Sequence, residues 1–208
     1  MPSYKYTYFN LRARGEIPRL ILKTAGADFE DNRVEFSEWP ALKEQTPFGQ
    51  LPFIEIDGKP FPESMSISRL LAAEFGVAGE TALDRLRADV LTEQTRSMKE
   101  GIYKYFFEGD AKIKAEAQKN FEEKIRPKYL KTWEEAAKEN TFGSGHLVGK
   151  ALTIADLAMM DALDAVLQDE AFKATFPETY PNLAKNYNTV TNMANIKKYR
   201  ESRPQTSI

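Results

Sequence analysis

The chain has 208 residues, 42% hydrophobic and 12% aromatic, enough for one large or two small cored domains and unlike a disordered chain. Its 29 basic and 31 acidic residues give a net charge of −2 with no long basic run, so nucleic acid is not an expected partner. With no cysteine and a single histidine, His146, it can build no disulfide, thiolate metal site, cysteine nucleophile or multi-histidine metal site.

The opening stretch, MPSYKYTYFN, lacks the apolar core of a signal peptide, and no apolar run is long enough to span a bilayer. The expectation is a cytoplasmic protein without a membrane partner. YKYTYF alternates strand formers, so a strand is predicted at 4–8. NLRAR breaks it. In GEIPRLILKTAG, Ile17, Leu20, Ile21 and Thr24 share a helical face, Pro18 is tolerable in the first turn and Gly26 is the stop. FEDNRVEF reads as a second strand, and EWPALKEQ as a short irregular helix.

TPFGQLPFIEIDGKPFPES follows. Asp57-Gly58 is a two-residue hairpin turn, yet Leu51-Pro52 stands where Phe53-Ile54-Glu55-Ile56 begins a strand. Proline has no N–H to give a ladder. The pair therefore marks either a tight structural turn or a place where a ligand meets the backbone. SMSISRLLAAEFG then reads as a helix ending at Gly76. The order β-α-β-(α)-β-β-α describes a compact α/β unit with a mixed sheet.

From Thr81 onward the character changes. ALDRLRADVLTEQTRSMKEGIYKYFFEG is helical, with Leu83, Leu86, Val90 and Leu91 recurring. A second long helical stretch, 111–140, is bent or interrupted at Pro127. LTIADLAMMDALDAVL is a strongly apolar helix, and the last segment gives one or two more. With VAGETA (77–82) as linker, the domains are an α/β unit at 1–77 and an all-helical unit at 82–208.

Several residues have both a packing reading and a chemical one. Thr153-x-x-Asp156 is a capping box, which folding alone explains. Tyr4, Tyr6 and Tyr8 share a strand face, but Tyr8 ends the strand, so its hydroxyl can reach a cleft. Ser64, at a helix start, is either a simple N-cap or part of an anion site. Trp39 and Lys43 lie four apart and can share a face; Lys99, Tyr103 and Phe106 recur at helical spacing.

Taken in order, YKYTYFNLRARGEIPR, EWPALKEQTPFGQLPFIEIDG, ESMSISRLLAAEFG, GKALTIADL and YRESRPQT resemble the sigma class of the glutathione transferase family over nearly the whole chain. The resemblance implies a thioredoxin-like N-terminal domain with a mixed four-stranded sheet, followed by an all-α domain. It implies that Pro52 is cis, so that Leu51 offers its N–H and C=O to the cysteinyl backbone of glutathione as a short added strand. By the same resemblance Trp39, Lys43 and Gln50 hold the glycine carboxylate, Ser64 the γ-glutamyl carboxylate, and Tyr8 donates its hydroxyl to the sulfur. Arg14 adds positive potential near the sulfur. The electrophile pocket would draw on Phe9, Ala13, Arg96, Lys99, Tyr103 and Ile208.

The implied function is conjugation of glutathione, as co-substrate, to small apolar electrophiles by a homodimer, with no metal. Alternatives are a ligand-binding or crystallin-like relative without activity, or a glutathione-dependent prostaglandin isomerase. Phe48 resembles the aromatic key that some classes insert into their partner. Three departures stand out. Ala-Arg-Gly at 13–15 replaces the more usual Gly-Arg-Ala, altering backbone freedom at the electrophile pocket. Position 63 is Glu rather than Gln, an acid able to meet the γ-glutamyl ammonium. Of the helix acids that some relatives use there or for a metal, Glu93 remains, while 96 and 97 are Arg and Ser.

Overall fold

The computed structural model describes residues 2–206 and 208. The first strand, β1 (Tyr4–Phe9), runs into a tight turn and then helix α1 (Glu16–Ala25). Gly26, at φ 66°, ends α1 in the left-handed conformation glycine adopts without steric cost. Strand β2 (Glu30–Val34), the short helix α2 (Trp39–Leu42), the hairpin β3 (Phe53–Ile56) and β4 (Lys59–Pro62), and helix α3 (Ser64–Glu74) follow. The sheet order is β2-β1-β3-β4, with β1 parallel to β2 and the other two pairs antiparallel. This is the mixed four-stranded sheet the sequence led us to expect. Asp57 and Gly58 both take positive φ (50° and 76°), as a type I′ hairpin turn requires. Two prolines fall in β4, which is an edge strand and tolerates their missing N–H groups.

The helical elements are α4 (Ala82–Phe106), α5 (Ala111–Asn120), α6 (Arg126–Glu139), α7 (Ile154–Val166), α8 (Glu170–Thr179), α9 (Pro181–Thr191) and α10 (Ala194–Ser202). The 111–139 stretch is interrupted by a π-helical turn, Phe121–Ile125. Pro127 sits in the first turn of α6, where it has no N–H to return to the preceding turn, and the chain widens there. Helix α7 is buried on nearly every side and begins with the expected capping box: Thr153 N–H and Oγ1–H donate to the Asp156 carboxylate at 2.7 and 3.0 Å. The same carboxylate accepts from Leu147 N–H (2.8 Å) and Asn186 Nδ2 (2.7 Å), so a folding role accounts for Asp156.

The chain forms two compact units, Met1–Ala78 with Asn192–Ile208, and Gly79–Thr191. The last segment was expected with the helices of 82–208 but packs with the α/β unit. The cause is specific. Helix α10 lies against α1, Arg203 pairs with the buried Glu16 at 2.6 Å, and Tyr199 donates to the same carboxylate at 3.2 Å. No helix of the described residues is long and apolar enough to cross a membrane.

Candidate functional site

Strand register brings the predicted site residues of the α/β unit to one end of the sheet. Thr7 faces Phe53, and Phe53 faces Pro62. One step further along each strand lie Tyr8, Pro52 and Glu63. The Leu51-Pro52 peptide is cis. Among the described residues neither the N–H nor the C=O of Leu51 has a hydrogen-bond partner, although Leu51 is half-buried beside a paired strand. A backbone edge of this kind can accept one more short strand.

Ser64 is the first residue of α3, and the N-cap position belongs to Glu63. Glu63 is held at φ 77°, a left-handed conformation unusual for a residue with a side chain, and no side chain caps the helix. The first N–H groups of this 11-residue helix are thus without side-chain acceptors, an arrangement suited to an anion. The simple N-cap reading of Ser64 is therefore not what the structure shows.

An aromatic row leads away from Tyr8. Its ring meets Phe9 edge-on at 5.6 Å, and Phe9 stacks on Phe36 at 4.7 Å and meets Trp39 edge-on at 5.5 Å. Trp39 is half-buried. Lys43 and Gln50 are exposed, and the Lys43 side chain lies over Gly49, about 3.7 Å from where a Cβ would stand. The fold therefore gathers Tyr8, Phe9, Trp39, Lys43, Gln50, Leu51, Pro52, Glu63 and Ser64 into one unit.

The turn after β1 carries Ala13, Arg14 and Gly15. Ala13 is buried at φ 32°, and Arg14 is exposed. Beneath the turn lies Arg19, which the sequence reading passed over. It is fully buried and donates to Asp31 (2.8 Å), to Leu11 C=O (2.8 Å) and to Phe9 C=O (3.2 Å). Its guanidinium carbon lies 5.6 and 5.7 Å from the centres of the Tyr6 and Tyr8 rings. Burial opposes its charge, but Asp31, Tyr6 and Glu16 outweigh that and hold its pKa above the ordinary arginine value. The signal was present: one arginine inside the otherwise apolar run IPRLIL of α1.

The tail closes over the same turn. Arg12 donates through its backbone N–H to Ile208 C=O and through its side chain to Thr206 C=O, both at 3.0 Å, and Ile208 is buried.

The remaining predicted pocket residues belong to the helical unit. Arg96 is exposed and paired with Glu93 at 2.7 Å, one turn earlier on α4. Tyr103 is half-buried against Phe107. Lys99 corrects an expectation. It is 5% exposed, and its ammonium forms an ion pair with Asp161 of α7 inside the unit. Among the described residues no group of three or more His, Cys, Asp or Glu side chains is placed to hold a metal ion.

Residues 4–73 match the family described as "Glutathione S-transferase, N-terminal domain", and residues 96–203 the one described as "Glutathione S-transferase, C-terminal domain". Glutathione S-transferase 1 of Ascaris suum is 37% identical over 212 residues, covering 99% of each chain. A Nu-class transferase structure from Haemonchus contortus superposes with a TM-score of 0.86 at 34% identity and full coverage of both chains. Prostaglandin synthase D of Nilaparvata lugens gives a TM-score of 0.86 at 30% identity, over 99% of this chain and all of the other.

Proposed function

The chain belongs to the glutathione S-transferase family, and we propose from the arrangement at the sheet end that it conjugates glutathione to small apolar electrophiles in the cytoplasm, with sigma-like chemistry based on Tyr8. One observation carries this reading: the unpaired main chain of Leu51 beside the side-chain-uncapped N-terminus of α3. Together they offer a strand edge and an anion site at the same end of the sheet, the two features that a short γ-linked peptide needs.

In this reading Leu51 pairs with the cysteinyl backbone, and Ser64 with the first α3 N–H groups takes the γ-glutamyl carboxylate. Trp39, Lys43 and Gln50 take the glycine carboxylate. The nucleophile is glutathione's own thiolate, in keeping with a chain that has no cysteine. A free thiol near pKa ~8.5 is mostly protonated at neutral pH. A hydrogen bond from the Tyr8 hydroxyl to the sulfur anion, worth roughly 1.5–3 kcal/mol, lowers the thiol pKa by about 1–2 units. Arg14 adds a positive charge to the same region. The thiol proton passes to solvent water, the sulfur attacks the electrophilic carbon, a C–S bond forms and the leaving group departs with its electron pair. Phe9, Ala13 and Ile208 supply apolar surface for the electrophile. Lys99 is not assigned to it.

The prostaglandin synthase relative supports a second reading, a glutathione-dependent prostaglandin isomerase using the same glutathione site. We further propose a homodimer. Phe48 is 83% exposed at φ 55°, and Leu86, Val90 and Phe142 stand exposed around a groove of about 510 Å³ in the helical unit. Exposed apolar groups such as these, on each unit taken by itself, are suited to cover by a second copy. Light scattering that gives a monomer at micromolar concentration would refute the dimer.

The test of the main reading is Tyr8→Phe, assayed with glutathione and chlorodinitrobenzene. Glutathione binding is retained, turnover at mildly acidic pH falls, and ultraviolet titration of the bound thiol shows a raised pKa. An unchanged thiol pKa removes Tyr8 from the role.

A further inference from the structure

Gly15 stands where backbone geometry makes no demand for glycine. Its φ and ψ are −86° and −14°, ordinary right-handed values that any residue adopts, and it immediately precedes α1. Two residues earlier the reverse holds: Ala13 carries a side chain at φ 32°. If backbone freedom chose the glycine, it would sit at 13.

Space explains it. A Cβ added at Gly15 would lie 2.1 Å from Cδ1 of Tyr8, 2.7 Å from Cγ and 2.8 Å from Cε1. The ring rests on the glycine. Its other neighbours leave little room to yield: Phe9 meets it edge-on at 5.6 Å, and the Arg19 guanidinium lies 5.7 Å from its centre, fixed by its bonds to Asp31 and to the carbonyls of Leu11 and Phe9. Tyr8 itself is buried.

We propose that Gly15 is a positioning residue for Tyr8: its missing side chain is the seat that sets where the tyrosine ring, and with it the hydroxyl, is held. The proposal rests on the assignment of Tyr8 as the thiolate's hydrogen-bond donor. It concerns placement, not contact with substrate. Ordinary contact begins near 3.4 Å, so a methyl group at 15 forces the ring away by more than about 1 Å. The hydroxyl lies at the far end of that lever. A misplacement of about 1 Å at a reacting group costs on the order of a hundredfold in rate. The glutathione contacts proposed for residues 39–64 come from other elements and are untouched.

The experiment compares Gly15→Ala, Tyr8→Phe and the double variant, each measured for glutathione affinity, chlorodinitrobenzene turnover and the pKa of bound thiol. The expected result for Gly15→Ala is a kcat/KM loss approaching a hundredfold, a raised thiol pKa, and glutathione affinity within about a factor of two of the parent. In the Tyr8→Phe chain the same substitution has no further effect on the thiol pKa, because the group it displaces is gone. If Gly15→Ala does not fold, it is combined with Tyr8→Ala: this second pair folds, because the methyl group then has no ring to meet, and a second pair that also fails to fold overturns the proposal. Gly15→Ala with parental turnover and thiol pKa overturns the proposal, as does an additive pKa change in the double variant or a parallel loss of glutathione affinity. If Tyr8→Phe alone leaves the thiol pKa unchanged, the Tyr8 assignment fails and the positioning role falls with it. If Tyr8→Phe raises the pKa and Gly15→Ala does not, only the positioning role fails.

Discussion

The family resemblance puts Lys99 in the electrophile pocket, and its surroundings argue for a different role. Its side chain is 6% exposed and its partner Asp161 only 1%, so the pair ties α4 to α7 within the apolar interior of the helical unit. Lys99→Met keeps the length of the side chain and deletes the charge, leaving a carboxylate buried opposite a thioether. Breaking one side of a buried pair costs about 3–5 kcal/mol, most of it the penalty of the abandoned charge. For a chain of this size that lowers the melting temperature by roughly 6–20 °C, at about 2–4 °C per kcal/mol. Replacing both partners, as Lys99→Met with Asp161→Leu, removes the orphaned charge, and such swaps are neutral or stabilising by about 1–4 kcal/mol. The assay is thermal and urea unfolding of the two singles and the double, with conjugation measured at a temperature where each is folded. The expected pattern is a large loss for Lys99→Met, recovery in the double, and turnover near the parent's in the folded double. Lys99→Met with an unchanged melting temperature but lost turnover would refute the structural reading and return Lys99 to the electrophile.

Glu63→Gln should weaken glutathione by about 10–150-fold if Glu63 binds the γ-glutamyl ammonium, a charge-assisted bond worth roughly 1.5–3 kcal/mol, and should affect an analogue lacking that amine much less; equal loss for both rules the contact out. Stability should fall at alkaline pH: burial pushes the Tyr6 and Tyr199 hydroxyls above their ordinary value, so the neutral forms they favour stabilise the fold below pH ~10 and that contribution fades as pH rises beyond it. At the acid end, Asp84 and Asp169 are held below the usual carboxylate range by hydrogen bonds from Thr81 and from Phe172 N–H, so their contribution is present above pH ~4 and is lost below it, giving a flat melting profile between. Phe48→Ser should shift a dimer toward monomer in sedimentation while leaving the monomer's melting temperature unchanged; an unaltered association constant would take Phe48 out of the interface.

Periodicity made most of the fold legible. Tyr6 and Ile54 are buried as direct partners on neighbouring strands, the left-handed Asp57-Gly58 pair closes its hairpin, and Gly26 ends α1 where a left-handed residue was wanted. What periodicity misjudged were positions settled by distant partners. Leu83, Leu86, Val90 and Leu91 recur at helical spacing, yet only Leu91 is buried; the helical face toward the unit's core is instead formed by Ala88, Thr92, Thr95 and Met98. Small and hydroxyl-bearing residues there let α7 approach closely, and Thr92 and Thr95 return their hydroxyls to backbone carbonyls at 2.7 Å, which hides their polarity. A hydropathy reading ranks such residues below leucine and so picks the wrong face.

The site shows the same limit more sharply. Its proposed contact residues could be picked out because strand ends, turns and helix starts are local. The groups that hold the β1–α1 turn were not, because they are charged residues that a hydropathy pattern assigns to water. Arg12, Glu16 and Arg19 are all buried. Arg19 fastens the turn from beneath through the carbonyls of Phe9 and Leu11, Glu16 takes Arg203 and Tyr199 from the tail, and Arg12 grips Thr206 and Ile208. Buried charges of this kind are costly unless every one is paired, and once paired they admit few alternative arrangements. An apolar turn of the same size could slide by a fraction of an ångström at little cost. This one cannot, and it lies directly after the strand that ends in Tyr8-Phe9. The stability lost in burying three charges around a short turn is thus offset by rigidity at the point where, in the function we propose, the Tyr8 hydroxyl meets a sulfur anion within hydrogen-bond tolerance.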